Sequence, residues 1–194
     1  MRNTLKLAIA TAIAIAAMAA TAASASALPA VFNVTGTSTI QASGTLTATW
    51  AGQTKTCSMT AANSQNSVTN QGAPSTGTMF VYPLSGNCTP NHPYPGYHAL
   101  WLVFNTATAS KTGSAYSLSV PASPGGQSPF APFTSNPATA GNAYTVAWTN
   151  GVLGGAASKI TYNNTNVGTY LGSPITVTGT INITKNGGGL LTLN

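Results

Sequence analysis

Ile175-Thr176-Val177-Thr178-Gly179-Thr180-Ile181-Asn182-Ile183 decides the fold class of this chain. Ile175, Val177, Gly179, Ile181 and Ile183 fall on one side of an extended segment, and Thr176, Thr178, Thr180 and Asn182 on the other. An alternation of period two buries one face of a strand and wets the other. Val34-Thr35-Gly36-Thr37, within residues 32–40, repeats the phrase Val177-Thr178-Gly179-Thr180. In both copies the Gly falls on the apolar side, where a missing side chain permits a bend or a close backbone approach. Residues 32–40 and 175–183 are therefore expected as strands that bracket one β domain.

Between them, short strand signals recur, separated by Gly, Asn, Pro and Ser. The chain is expected to begin as a meander: a strand at 32–40, a turn at Ala42-Ser43-Gly44, a strand at 45–50, a tight turn at Gly52-Gln53 and a strand at 54–60. Residues 61–77 read as a loop with a short strand around Val68. Further strands are expected at 78–84, 98–105, 115–120, 143–148, 158–162 and 190–193. Ala99 to Phe104 is apolar without a break, which implies cover on both faces. Trp50, Trp101 and Trp148 lie in these strands and are expected in the core. Residues 89–97, 121–142 and 163–172 read as loops, the first two rich in proline. No segment after residue 27 carries helical periodicity over eleven or more positions, and the threonine load suits a pleated surface. The expected fold is all-β, an antiparallel β-sandwich or flattened barrel of about nine or ten strands with one disulfide.

The first residues read as an address. Arg2 and Lys6 precede an apolar run at 7–20, and Ala25-Ser26-Ala27 is a cleavage site of small residues. Residues 1–27 are expected to be a secretory signal peptide, leaving 28–194 as one secreted domain. The apolar run is too short and too rich in alanine for a good membrane span, and no later segment approaches one.

The chain contains no Asp and no Glu. Beyond residue 27 only Lys55, Lys111, Lys159 and Lys185 are charged, scattered about one per hairpin, and they read as solvated surface charges. A nucleic-acid interface needs clustered Lys and Arg with stacking aromatics beside them, and neither is present. Cys57 and Cys88 are the only cysteines, and export makes an intramolecular disulfide the first expectation, ahead of a reactive thiol or an intermolecular link.

Chemistry is sparsely supplied. Paired carboxylates for glycoside cleavage, the acid of a Ser-His-Asp triad and the carboxylate oxygens of a calcium site are all missing. No enzyme activity and no cofactor is expected. His92 and His98 are the only histidines, in His-Pro-Tyr-Pro-Gly-Tyr-His. They read as a metal site short of a third ligand, or more plainly as surface residues of an ordered Pro/Tyr loop. Tyr94, Tyr97, Phe130 and Phe133 lie in Pro-rich loops. If they cluster, they form an exposed apolar patch for a sugar ring, an alkyl chain or a partner surface.

Five features resemble the small secreted bacterial proteins called activators of alkane oxidation, the PraA/PraB type. They are Val34-Thr35-Gly36-Thr37, Cys57 ending an early strand, Thr145–Thr149 with Trp148 before a Gly-rich turn, Ile160-Thr161-Tyr162-Asn163-Asn164, and Val177-Thr178-Gly179-Thr180. The likeness covers the two ends of the chain, and Ser173 and Pro174 stand where that family usually carries a cysteine. It implies an extracellular or surface protein tied to biofilm and to growth on hydrophobic substrates, with no active site to carry over. The layout also resembles pilins of the chaperone–usher kind, in which residues 28–40 would serve as a donated strand. The expected function is a secreted or cell-surface, non-enzymatic matrix component that self-associates or meets polysaccharide through rows of Thr, Ser and Asn. The alternatives are a binding module for a glycan or hydrophobic ligand, and a strand-donating subunit.

Overall fold

The computed structural model describes residues 26–61, 65–89, 99–122, 140–170 and 172–194. Eleven strands run through them: β1 (Leu28–Pro29), β2 (Ser38–Trp50), β3 (Gln53–Ala61), β4 (Ser67–Gln71), β5 (Thr76–Thr89), β6 (Ala99–Thr112), β7 (Ala115–Val120), β8 (Ala140–Gly141), β9 (Tyr144–Thr149), β10 (Ser158–Tyr170) and β11 (Ser173–Lys185). No helix occurs among the described residues.

Eight strands close into one antiparallel barrel. Around the wall the order is β2-β3-β5-β6-β7-β9-β10-β11, and β11 returns to β2. Wall order is therefore chain order, an up-and-down meander whose last strand seals against its first long one. That seam is the most regular in the molecule, eleven unbroken pairs from Ile175 opposite Trp50 to Lys185 opposite Ile40. The three remaining strands complete the wall. Ala61 faces Ala42 and, after residues 62–66, Ser67 faces Thr39, so β4 continues the lane of β3. In the same way β8 continues the lane of β9 against β10. β1 lies on β6, Leu28 opposite Lys111. Closure selects the barrel over the sandwich.

Alternation decides what faces inward. Along β3, Lys55, Cys57, Met59 and Ala61 are buried and the residues between them are exposed. Along β11, Ile175, Val177, Ile181 and Ile183 are buried. An eight-stranded barrel is just wide enough for its side chains to fill. Tyr162, Phe104, Leu46, Met59, Leu102, Leu118 and Ile160 fill this one, each almost completely buried. Room for them comes from small neighbours, as where Tyr162 pairs with Gly179. Outward positions on β2, β3, β7 and β11 are chiefly Thr, Ser and Asn. A lipid-facing barrel has the opposite alternation.

One end is capped by residues 31–33 pairing with residues 192–194. Phe32 bridges to Leu193, and its ring meets Trp148 edge-on at 5.5 Å. Asn70 holds this cap from the wall: its Nδ2 donates to Phe32 O at 2.9 Å, and Phe32 N–H donates to Asn70 Oδ1 at 2.9 Å. Asn150 ties the other half. Its Oδ1 accepts from Trp148 Nε1 and from Leu193 N–H, both at 2.7 Å, and its Nδ2 donates to Leu193 O at 2.8 Å.

The expected strands are present at β3, β5, β6, β7, β9, β10 and β11, and the short strand around Val68 is β4. Several expectations need correction, among them the loop assignments of Thr89, which ends β5, and of Ala140–Gly141, which form β8. Val34 to Thr37 is not strand, and β2 starts only at Ser38. Ala42-Ser43-Gly44 is not a turn, because β2 runs straight through it with Gly44 opposite Ile181. Residues 163–170 are not loop, because β10 crosses a bulge and keeps pairing to Tyr170. Residues 190–193 form no named strand, only the Phe32 bridge and backbone bonds such as Asn33 N–H to Thr192 O at 3.0 Å.

Candidate functional site: the hydroxyl face of the barrel

Tyr94, Tyr97, Phe130, Phe133, His92 and His98 all lie outside the described residues. β5 ends and β6 begins at the barrel end opposite the Phe32 cap, and β7 ends and β8 begins there too.

Cys57 and Cys88 form the expected disulfide. They are register partners on β3 and β5, both fully buried inside the barrel, so the bond tightens the wall from within. Trp148 is buried and Trp50 packs partly buried against the core, as expected of strand tryptophans, while the side chain of Trp101 lies outside the described set. Lys55 departs from expectation. It is not a surface charge: it points inward from β3, 5 % exposed, opposite Ala48. The alternation of β3 puts it on the side of Cys57 and Met59, against the general preference of lysine for solvent. Lys111 spans Tyr116 with its ammonium 5.1 Å from the ring centroid.

Inside the barrel, Tyr144 and Tyr162 lie with ring centroids 6.1 Å apart. Burial pushes the Tyr162 phenol well above its ordinary pKa, and the neighbouring Tyr144 adds to the rise.

The outside of the wall carries the most ordered chemistry. β11, β2 and β3 are adjacent and in register, and their outward positions fall into four rows: Thr176–Thr49–Thr54, Thr178–Thr47–Thr56, Thr180–Thr45–Ser58 and Asn182–Ser43–Thr60. Thr89 of β5 extends the second row. Hydroxyls of neighbouring strands approach within 3.2 Å at Thr49 and Thr54 and 3.4 Å at Thr47 and Thr56. Strand geometry sets the mesh at about 4.8 Å across strands and about 6.7 Å along them. No charged, aromatic or aliphatic side chain interrupts the rows. The period-two threonines were legible in the sequence. Which three strands stand side by side was not.

Next to this face the bulge in β10 leaves a shallow, open depression of about 520 Å³ between β9, β10 and β11. A second hollow of about 240 Å³ lies at the capped end, between residues 152–157 and 189–191, beside Val152 and Leu153, which are 66 % and 84 % exposed. No family model, no curated protein and no solved structure matches the chain.

Proposed function

We propose that the chain is an exported, non-enzymatic component of a cell surface or extracellular matrix that works through its outer wall. The observation that carries this reading is the uninterrupted Thr/Ser/Asn array on β11, β2 and β3. A lattice of neutral donors and acceptors suits many weak hydrogen bonds and supplies no nucleophile–base pair. A chain without Asp or Glu has no carboxylate for general acid–base work. The buried disulfide fits an oxidising compartment. The likeness to activators of alkane oxidation adds a surface role during growth on hydrophobic substrates. Closure of the wall supports this reading over strand donation. Residues 28–40 are engaged within their own barrel, through β1 on β6, the Phe32 bridge and the first residues of β2.

One feature favours a second reading, a module for hydrophobic ligands: Val152 and Leu153 stand exposed beside the hollow at the capped end. The experiment is expression with residues 1–27 in a bacterial host, followed by fractionation and N-terminal sequencing. The expected product begins at Leu28 and is recovered from the surface or matrix fraction. Recovery from the cytoplasm with residues 1–27 attached overturns the proposal.

A further inference from the structure

We infer that the depression between β9, β10 and β11, continued over the rows of β2 and β3, is a contact site for an uncharged, hydroxyl-rich polysaccharide. This rests on the surface reading above and adds to it the partner's chemistry and the residues that meet it.

The depression is made by a defect in the wall. β10 slips register against β11 between Tyr162 and Thr165, and Asn164 takes a left-handed φ of 49°. Side chains hold that shape. Asn164 N–H donates to Thr178 Oγ1 at 3.1 Å, and Asn163 N–H donates to Thr165 Oγ1 at 3.2 Å. Its polar lining is Thr145, Thr161, Asn163, Thr165, Thr178 and Thr180, with Ala147, Gly179 and the buried Tyr162 between them. Thr178 and Thr180 also head the second and third rows of the lattice, so depression and lattice are one surface.

No lining group is charged, and each Thr and Asn side chain among them both donates and accepts, as a sugar hydroxyl does. Lys159, opposite Asn182, and Lys185 stand at the end of this surface nearest the Phe32 cap, and Lys55 points inward. An anionic polymer therefore gains little here. Curvature narrows the partner further. Eight strands closing a ring turn the wall by about 45° per strand, so β11 to β3 bend through about 90°. A flat crystalline surface touches such a wall along little more than one strand, whereas a flexible chain follows it. Among the described residues each of the eight wall strands has a partner on both sides, which disfavours an added β-strand here. Without an aromatic platform each sugar is held weakly, and retention builds over many units of one polymer.

The test is affinity electrophoresis of residues 28–194 in gels containing dextran, pullulan or a neutral galactomannan. The expected result is retardation by at least one of the three, unchanged when NaCl is raised to molar levels. Thr45→Val/Thr47→Val/Thr161→Val/Thr180→Val keeps side-chain shape and removes four hydroxyls, and is expected to weaken binding by about tenfold. Ser117→Ala/Ser119→Ala on β7 is expected to bind as the unaltered protein does, with melting curves certifying that both variants are folded. Binding that vanishes with salt, equal loss in the β7 variant, or no retardation by any of the three overturns the inference. A protein found in the matrix that fails in all three gels removes this inference and leaves the surface role standing. A protein that never leaves the cytoplasm removes the surface role.

Discussion

Gly179 on β11 stands opposite Leu46 on β2, and a Cβ on Gly179 would run into the Thr45 carbonyl oxygen while lying 3.1 Å from Leu46 Cα. Its φ of 134° is one that side chains resist. Gly179→Ala is therefore expected to cost about 2–4 kcal/mol. Gly36, in the other copy of the same tetrapeptide, has φ 70° but open space where a Cβ would go. Gly36→Ala is expected to cost about 1–2 kcal/mol. Urea unfolding of the two variants side by side checks the contrast, and equal losses would remove the close approach as the cause.

The bond between Cys57 and Cys88 closes a loop of 31 residues. Replacing both with Ala is expected to lower stability by about 3–4 kcal/mol on the chain-entropy account. Because both residues are fully buried, a mild thiol reductant is expected to leave the folded protein oxidised and to act only near the unfolding transition. Rapid reduction of the folded chain at low urea contradicts that.

Asn150 satisfies three polar groups at the capped end, one on Trp148 and two on Leu193. Asn150→Ala leaves them without those partners and is expected to cost about 2–4 kcal/mol, with a shift in tryptophan fluorescence. Asn150→Asp keeps the two acceptor contacts and repels the Leu193 carbonyl, so it should fall between wild type and Ala. Thermal melts of the three proteins give the order.

Stability should respond to alkali and hardly to acid. With no Asp or Glu, the side chains that ordinarily titrate between pH 3 and pH 9 are His92 and His98, the two cysteines being bonded. The melting temperature is expected to stay nearly flat across that range. Above about pH 10 the unfolded chain releases the Tyr162 proton while the folded chain keeps it. Stability contributed by that group is full below the unfolded pKa and falls by about 1.4 kcal/mol per pH unit above it. Tyr162→Phe is expected to flatten part of that alkaline slope. A steep loss of stability near pH 4 would contradict the acid arm.

Alternation made β3, β9 and β11 readable, because β3 and β9 bury every second residue from Lys55 and Tyr144 onward and β11 does so on either side of Gly179. Misreading came where a residue serves a neighbour rather than its own strand. Gly44 looked like a turn but lets β2 pass close to the β11 backbone at Thr180 and Ile181. Asn163 and Asn164 looked like a loop but form a bulge that realigns β10. The repeated Val-Thr-Gly-Thr phrase adopts two conformations, since only the second copy has a partner strand along both sides. Closure itself was out of reach, because pairing of β2 with β11 leaves no local mark. The hydroxyl face was half legible: its threonines were plain, and its rows depend on that same distant pairing.

The seam between β2 and β11 also orders events in time. Residues that must meet, such as Trp50 and Ile175, are synthesised at opposite ends of the chain. A growing polypeptide therefore has no finished ring to offer until its final strand emerges, and assembly must proceed from local hairpins towards one late, long-range docking. A chain that cannot lock early stays threadable, which is what the export proposed above would require before folding.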